Sequence, residues 1–371
     1  MRHKHWPSVL ICDTNTGPLS YTGPLSCLVA LSGGVDSAVA AMLAIKDGFD
    51  CAGAVMKLFD GSDKTVLDAK VAADFLGIPL YEFDFNEQFA HHVINPFITD
   101  YREGRTPNPC VVCNKHLKFG ALLNKAQELG KDCIITGHYA QIDFIPGAAE
   151  TNGRYLLKKG ADPSKDQSYA LYTLSQEQLK RTKFPLGGLL KKQVREIALE
   201  KGFANAGKIE SQDICFIPDG DYFSFINNYS GETPQKGRFI DTDGKNLGES
   251  KGISSYTIGQ RRGLGLAMPF PPYVIELRPE SNTVVVGKED MLYSKTLTAK
   301  NINLIAVDKL DAPVKASVKI RYSDPGHPAT IHQTDEDSLY IEFDEPQRAI
   351  TSGQAAVLYD NNTVIGGGTI E

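Results

Sequence analysis

Six residues, Ser32-Gly33-Gly34-Val35-Asp36-Ser37, constrain this chain more than any others. They stand between Cys27–Leu31, which reads as a buried strand, and Ser37–Lys46, which reads as a helix stopped by Gly48. Paired glycines admit positive φ and let the backbone approach a ligand closely. The following helix N-terminus turns free N–H groups and a positive dipole end towards an anion, and Ser32 and Ser37 add hydroxyl donors. Such a turn seats a pyrophosphate. Gly-Gly-x-Asp by itself would equally make a tight turn with Asp36 or Ser37 as an N-cap; the complete hexapeptide in its strand–helix setting carries the phosphate reading. Rival motifs fail. Gly202-x4-Gly207-Lys208 is followed by Ile209 where a Walker loop needs Ser or Thr, and no Gly-x-Gly-x-x-Gly follows the first strand.

Beyond this turn, strands and helices alternate. Ala52–Met56 is a second apolar run, Lys64–Leu76 is amphipathic with Leu67, Val71 and Phe75 four apart, and Ile78–Phe85 reads as a strand. Phe89, Val93, Phe97 and Tyr101 place one apolar stripe on a long helix, ended by Pro107 and Pro109. A helix starting near Val112 carries Leu117, Leu122, Leu123 and Ala126, and Cys133–Thr136 is a short buried strand. This alternation predicts a parallel sheet with helices on both faces. After about residue 205 short alternating runs take over: Tyr273–Leu277, Thr283–Val286, Val314–Tyr322, Ser338–Phe343 and Gln354–Tyr359. They predict a C-terminal antiparallel β-barrel or sandwich. A length of 371 residues suits two or three domains. We read an α/β domain over 27–208, a small mixed central domain over 209–288 and a β-barrel domain over 289–371. Residues 1–26 repeat Thr-Gly-Pro-Leu-Ser at 16–20 and 22–26, lack a long apolar core, and are expected to lie outside the fold without acting as a signal peptide.

Composition removes several function classes. No apolar run reaches the ~18–20 residues that span a bilayer, so no membrane role is expected. The net charge of −6 argues against a DNA-coating protein. Residues 180–208 nevertheless hold eight Lys or Arg (180, 181, 183, 191, 192, 195, 201 and 208) against Glu196 and Glu200, a pattern suited to phosphate-backbone contact. Seven irregularly spaced cysteines do not read as a secreted disulfide framework. A reducing cytoplasm is expected.

Cys27, Cys51 and Cys133 lie inside apolar runs and read as small buried hydrophobes. Cys110 and Cys113, in Thr106-Pro107-Asn108-Pro109-Cys110-Val111-Val112-Cys113, sit near a helix start with Lys115 and His116 beside them, a setting that suits thiolate chemistry. Cys215 stands alone in Ser211-Gln212-Asp213-Ile214-Cys215-Phe216-Ile217. A zinc ribbon would need a second C-x-x-C, which is absent. Two chemistries remain: persulfide transfer with a resolving thiol, or an iron–sulfur cluster on three thiolates with one open iron.

The hexapeptide is similar to the pyrophosphatase loop of ATP-dependent adenylating enzymes. With the Cys pair and Cys215, and with Thr136-Gly137-His138-Tyr139, Lys165-Asp166-Gln167-Ser168-Tyr169, Tyr256-Thr257-Ile258-Gly259-Gln260-Arg261-Arg262-Gly263 and Phe343-Asp344-Glu345-Pro346, the chain from about residue 27 onward resembles the bacterial tRNA-uridine 2-sulfurtransferase (2-thiouridylase) family. The resemblance implies an adenine nucleotide alpha hydrolase-like N-terminal domain and an ATP- and Mg²⁺-dependent adenylation of O2 of the wobble uridine of tRNA, followed by displacement of AMP by sulfur. ATP would meet Ala30, Leu31, Ser32, Gly33, Gly34, Val35, Asp36, Ser37, Met56 and Gly137. The target base would meet Asn108, Pro109 and Cys110, while His138, Lys165, Asp166, Gln167, Arg321, Tyr322 and Gln354 would face tRNA. Cys215 would carry a persulfide supplied by a donor protein. Cys113 would resolve it, leaving a Cys113–Cys215 disulfide.

Cys110 departs from the family pattern, which has an Asp proposed as a general acid/base. A thiol's reference pKa is roughly 8.5 against about 4 for Asp, so the role does not transfer directly. The third thiol also keeps a [4Fe-4S] cluster on Cys110, Cys113 and Cys215 as an alternative. A different thiolase on the same loop and a non-catalytic RNA-binding protein are the remaining competitors.

Overall fold

The computed structural model describes residues 24–147, 153–203, 205–207, 214–231 and 233–371. Residues 1–23, Lys208 and Ile209 of the near-Walker stretch, and Ser211–Asp213 lie outside them; of the expected extension, 24–26 are described, and Ser26 already opens the first strand. The chain divides into two compact units: residues up to 90, 113–210 and 362–364 in the first, and 91–112, 211–361 and 365–371 in the second.

In the first unit, strands β1 (Ser26–Ala30), β2 (Asp50–Lys57), β3 (Leu80–Asp84), β4 (Cys133–Ile135), β5 (Ala140–Ile145), β6 (Arg154–Lys159) and β7 (Thr182–Lys183) follow in order. Five form a sheet in the order β3-β2-β1-β4-β7, every pairing parallel. The expected α/β architecture is therefore present, with β5 and β6 added as an antiparallel hairpin. From β1 the chain moves to β2 on one side, while β4 lies on the other. Such a reversal opens a crevice at the carboxyl ends of the two central strands, where α/β sheets bind ligands. The hexapeptide leaves β1 at that end, and Thr136-Gly137-His138-Tyr139 leaves β4 there.

The helix after β1, Val35–Lys46, is rich in small residues: Ala38, Ala40, Ala41 and Ala44 are fully buried. Small side chains let it sit close to the sheet and to the helices Asp63–Leu76 and Lys191–Lys201, which both contact it. This closeness overturns the expected facing of Asp63–Leu76. Ala69, Ala72 and Ala73 point inward, while Leu67, Val71 and Phe75 are 64%, 56% and 53% exposed. Ala69, Ala72 and Ala73 join the core formed with the alanine-rich helix, where small side chains let the two helices pack closely. By contrast, the stripe of Phe89, Val93, Phe97 and Tyr101 is buried as expected. It runs through Asn86–Phe89, a π turn at Ala90–Ile94 and Asn95–Arg102. The wider π winding offsets the drift of a four-residue repeat on a 3.6-residue helix.

Cys27 and Cys133 need a correction. They are register partners on the adjacent parallel strands β1 and β4, with Cα atoms 4.9 Å apart, and form a disulfide. Each is buried, but as half of a pair formed across 106 residues of sequence. Cys51 is buried on β2, and desolvation followed by the nearby Asp50 charge pushes its thiol up to about 11.

In the second unit, β8 (Gly237–Ile240), β9 (Asn246–Ser250), β10 (Tyr273–Arg278) and β11 (Thr283–Gly287) make a sheet ordered β10-β11-β8-β9, with β8 and β11 parallel and the outer pairs antiparallel. Phe239, Tyr256, Val274, Val284 and Val286 fill its core. Then follow β12 (Tyr293–Leu304), β13 (Val314–Lys319), β14 (His327–Gln333), β15 (Ser338–Arg348), β16 (Ala355–Asp360) and β17 (Thr363–Ile370). Their order is β12-β15-β14-β13-β16-β17, and β12 also pairs with β17. The choice between sandwich and barrel is thus settled as a closed barrel, which removes exposed edges. Alternate residues such as Leu339, Ile341 and Phe343 point into its apolar interior.

Candidate functional site

In the first unit the hexapeptide forms a rigid loop. Gly33 takes φ +69°. Ser37 Oγ donates to Gly34 O at 2.9 Å and accepts the Ser32 N–H at 3.2 Å, so the two serines tie the loop's ends together. Gly34 is the N-cap of the following helix and supplies no side-chain cap. An uncapped helix start beside a glycine turn is an anion seat. Gly137, from the β4 loop, closes one side. A Cβ there would lie 2.9 Å from both the Asp36 carbonyl carbon and the Ser37 nitrogen, so only glycine fits. Met56 is the last residue but one of β2 and is half-buried.

Asp36 does not cap the helix. Its carboxylate accepts from Lys191 Nζ at 2.7 and 2.8 Å and from the Tyr139 hydroxyl at 2.8 Å. Lys191 opens the helix Lys191–Lys201, is buried, and lies 5.7 Å from the Tyr139 ring centroid. Its backbone N–H donates to Asp162, whose carboxyl is held below its ordinary value mainly by the Ser164 hydroxyl. Sequence reading placed Lys191 in a basic run and missed this pair, because 155 residues separate the partners. Within the same run Lys192 lies 4.0 Å from Glu196, and Arg181 pairs with Glu177. Asn205 was also missed. It donates to Gly33 O at 3.1 Å, and its Oδ1 is buried without a partner among the described residues.

The helix carrying the Cys pair starts at Pro109 rather than near Val112. Proline at a helix start gives up no hydrogen bond and brings a suitable φ, while Asn108 Oδ1 accepts the Val111 N–H at 3.4 Å. Cys110 is exposed in the first turn and Cys113 is buried. A π segment, Asn114–Ala121, follows, and Asn114 is buried with its amide donating to Ala170 O at 2.9 Å.

In the second unit, Cys215 is exposed at a turn closed by Ile217 N–H to Ile214 O at 2.8 Å. The next residues anchor it: Ile217 is buried, and the Phe216 ring packs on Phe97 and Phe225 at 5.4 and 5.1 Å. Among the described residues no three His, Cys, Asp or Glu side chains converge as metal ligands.

The residues expected to face tRNA divide by what their side chains do. His138 is buried, its Nδ1 2.7 Å from Thr136 Oγ1 and its ring near Phe119 and Phe184, and burial holds its imidazole well below the ordinary value. Asp166 accepts from the Gly160 and Ser168 N–H groups and from the Ser168 hydroxyl, and Gln167 Oε1 accepts the Tyr139 N–H. Arg321 donates to Arg348 O at 2.6 Å. Gln354 donates to Thr106 O. Lys165 is half-buried, and Tyr322 is exposed.

The sequence matches the families described as tRNA methyl transferase HUP domain over residues 25–219, tRNA methyl transferase PRC-barrel domain over 224–288 and aminomethyltransferase β-barrel domain over 294–370. It is 47% identical over 355 residues to the tRNA-specific 2-thiouridylase MnmA of Clostridioides difficile, covering 93% of this chain and 97% of that one. It is also 47% identical over 353 residues to MnmA 1 of Clostridium tetani, covering 93% and 96%. Among solved structures, the U34-tRNA thiolase NcsA of Methanococcus maripaludis aligns at TM-score 0.36 and 14% identity over 60% of this chain and 72% of that one, too distant to bear on this chain. Among the described residues no helix is long and apolar enough to cross a membrane.

Proposed function

This chain belongs to the tRNA-specific 2-thiouridylase family, and from that premise we propose that it uses ATP to replace O2 of the wobble uridine of tRNA with sulfur. The observation that carries the reading is the uncapped helix start after a serine-tied glycine turn, at the reversal point of a parallel sheet. That is where a nucleotide's phosphates would sit. The matched families carry a methyl-transfer name; the relatives carry a thiolation name across nearly the whole chain, and exposed thiols at Cys110 and Cys215 suit sulfur chemistry.

In this scheme Ala30–Ser37, Met56 and Gly137 hold ATP, and the uracil O2 attacks the α-phosphorus with loss of pyrophosphate. A carbonyl oxygen is a poor leaving group until it becomes part of an adenylate. Asp36, a hard oxygen donor, would help to hold Mg²⁺, which would supply charge neutralisation to the departing pyrophosphate. Lys191, already held on Asp36, lends a second positive charge. Asn108, Pro109 and Cys110 meet the base, which must leave its stack for chemistry at C2.

The terminal sulfur of a persulfide on Cys215 attacks C2 and expels AMP. Cys113 then attacks the Cys215 sulfur, releasing 2-thiouridine and leaving a Cys113–Cys215 disulfide. A persulfide donor protein, a cytoplasmic setting, tRNA contacts at Lys165, Arg321 and Tyr322 and the division at 27–208, 209–288 and 289–371 belong to the same proposal.

The test is nucleoside mass analysis of unmodified tRNA after incubation with the protein, Mg-ATP and a persulfide source under anaerobic conditions. ATP-dependent 2-thiouridine at the wobble position is expected. Its absence, from folded protein that binds ATP, would discard the reading.

A further inference from the structure

Gln354 stands immediately before β16, and its side chain turns back onto the protein. Nε2 donates to the Thr106 carbonyl at 2.9 Å and lies 3.4 Å from the Pro107 carbonyl. The backbone just before Gln354 joins the same grip. Thr106 N–H donates to Ser352 O at 2.8 Å. Gly353, at φ +89°, approaches so closely that a Cβ would lie 2.9 Å from the Thr106 oxygen. The gripping loop is fixed from behind, since Gly353 N–H donates to Ile370 O and Ile370 N–H to Gln354 O, at 2.9 and 2.8 Å, tying it to β17.

On the other side Arg105 is fixed as well. Its N–H donates to Asp100 O at 2.8 Å, its Nε to the Asp100 carboxylate at 2.8 Å, and its guanidinium also pairs with Glu103. Pro107 and Pro109 are both buried and have fixed φ. A shift at Thr106 therefore passes on to Asn108 and Cys110, because the stiff intervening residues cannot absorb it.

We propose that Gln354 is a positioning residue: it sets Asn108-Pro109-Cys110 for the target base by holding the two preceding carbonyls to the barrel, instead of acting through a contact to tRNA. This inference rests on the reading that those three residues meet the base. The amide is suited to the task because one NH₂ group reaches two successive carbonyl oxygens, which a carboxylate would repel and a thioether would leave unpaired. Misplacing a reacting group by about 1 Å costs up to ~10²-fold in rate.

The experiment compares the full-length protein with Gln354→Met and with Gln354→Glu, which keeps size and polarity and serves if the apolar variant does not fold. Three quantities are read: kcat for 2-thiouridine formation, the Kd for unmodified tRNA, and amide hydrogen exchange over residues 105–112. The expected result is a kcat lowered by about 10- to 100-fold, a tRNA Kd within about threefold of the parent protein, and at least about tenfold faster exchange confined to 105–112. Weaker tRNA binding with kcat preserved would make Gln354 a direct contact and overturn the proposal. Unchanged exchange at 105–112 would overturn it too. If the parent protein forms no 2-thiouridine, the functional reading fails on its own, and the exchange comparison still decides whether the grip exists.

Discussion

The glycine turn at 32–37 and the proline-rich loop at 106–110 are built in opposite ways. Residues 32–37 close on themselves: Ser32, Gly34 and Ser37 bond to one another within the turn. Residues 106–110 have two prolines but little bonding of their own, and Ser352 and Gln354, about 250 positions along the chain, hold them. A self-closed loop can be recognised from its own six residues. A borrowed one depends on the barrel having formed, so its geometry is exposed to substitutions far away in sequence. Under the proposed function the difference also touches chemistry, since the first loop would hold a substrate common to many enzymes and the second would meet the particular base.

That contrast can be broken most severely at Cys215, which neither loop contains. Cys215→Ser should lower 2-thiouridine formation by at least ~10³-fold while tRNA and ATP binding persist, measured by nucleoside mass analysis and binding titrations. Normal sulfur transfer by the variant would sink the persulfide scheme, however well both loops are placed.

Lys191→Met tests whether the phosphate loop is as self-sufficient as its backbone suggests. Removing the buried partner of Asp36 should slow ATP-dependent AMP release by about 10²-fold and cost about 1–3 kcal/mol of stability, the range for a partly buried charge left unpaired. Persulfide loading of Cys215 should be unaffected. If AMP release is unchanged, the loop needs no distant help.

Cys110→Asp sharpens the other side. The family pattern has Asp at this position, so the variant should keep activity within about tenfold of the parent protein, the scale of one modest change in a proton-transfer group. A much larger loss, with the fold intact, would mean that the thiol itself has a role.

The smallest effect concerns His138, next to Gly137. Burial holds its imidazole well below the ordinary value of 6.5, so below that pH the unfolded chain takes up a proton that the folded one refuses. Stability is therefore full above about pH 6.5 and declines as the pH falls, at up to about 1.4 kcal/mol per pH unit until the folded group itself titrates. His138→Gln should flatten melting temperature against pH between 6.5 and 5.5. An unchanged slope would mean that this imidazole is not held neutral in the fold.

Local chemistry wrote several features plainly into the sequence. The hexapeptide, the strand–helix alternation and the short barrel strands were legible because each depends on neighbours within a few residues: glycine's φ range, periodic apolar side chains and turn formers. The buried stripe from Phe89 to Tyr101 belongs with them. The stripe Leu67, Val71 and Phe75 shows where such legibility stops, since its period was right but its facing was set by close packing of Ala69, Ala72 and Ala73 in the core shared with the alanine-rich helix.

Three contacts could be decided only by the tertiary structure: Lys191 on Asp36, Cys27 on Cys133, and Gln354 on Thr106. Each joins residues more than a hundred positions apart, and each follows from sheet order, strand register or barrel closure. The sequence by itself determined which groups bring chemistry to this protein, because a side chain's reactivity is local. Which of them are buried, paired or set to face a ligand was left to the fold, because burial and pairing belong to the packed whole.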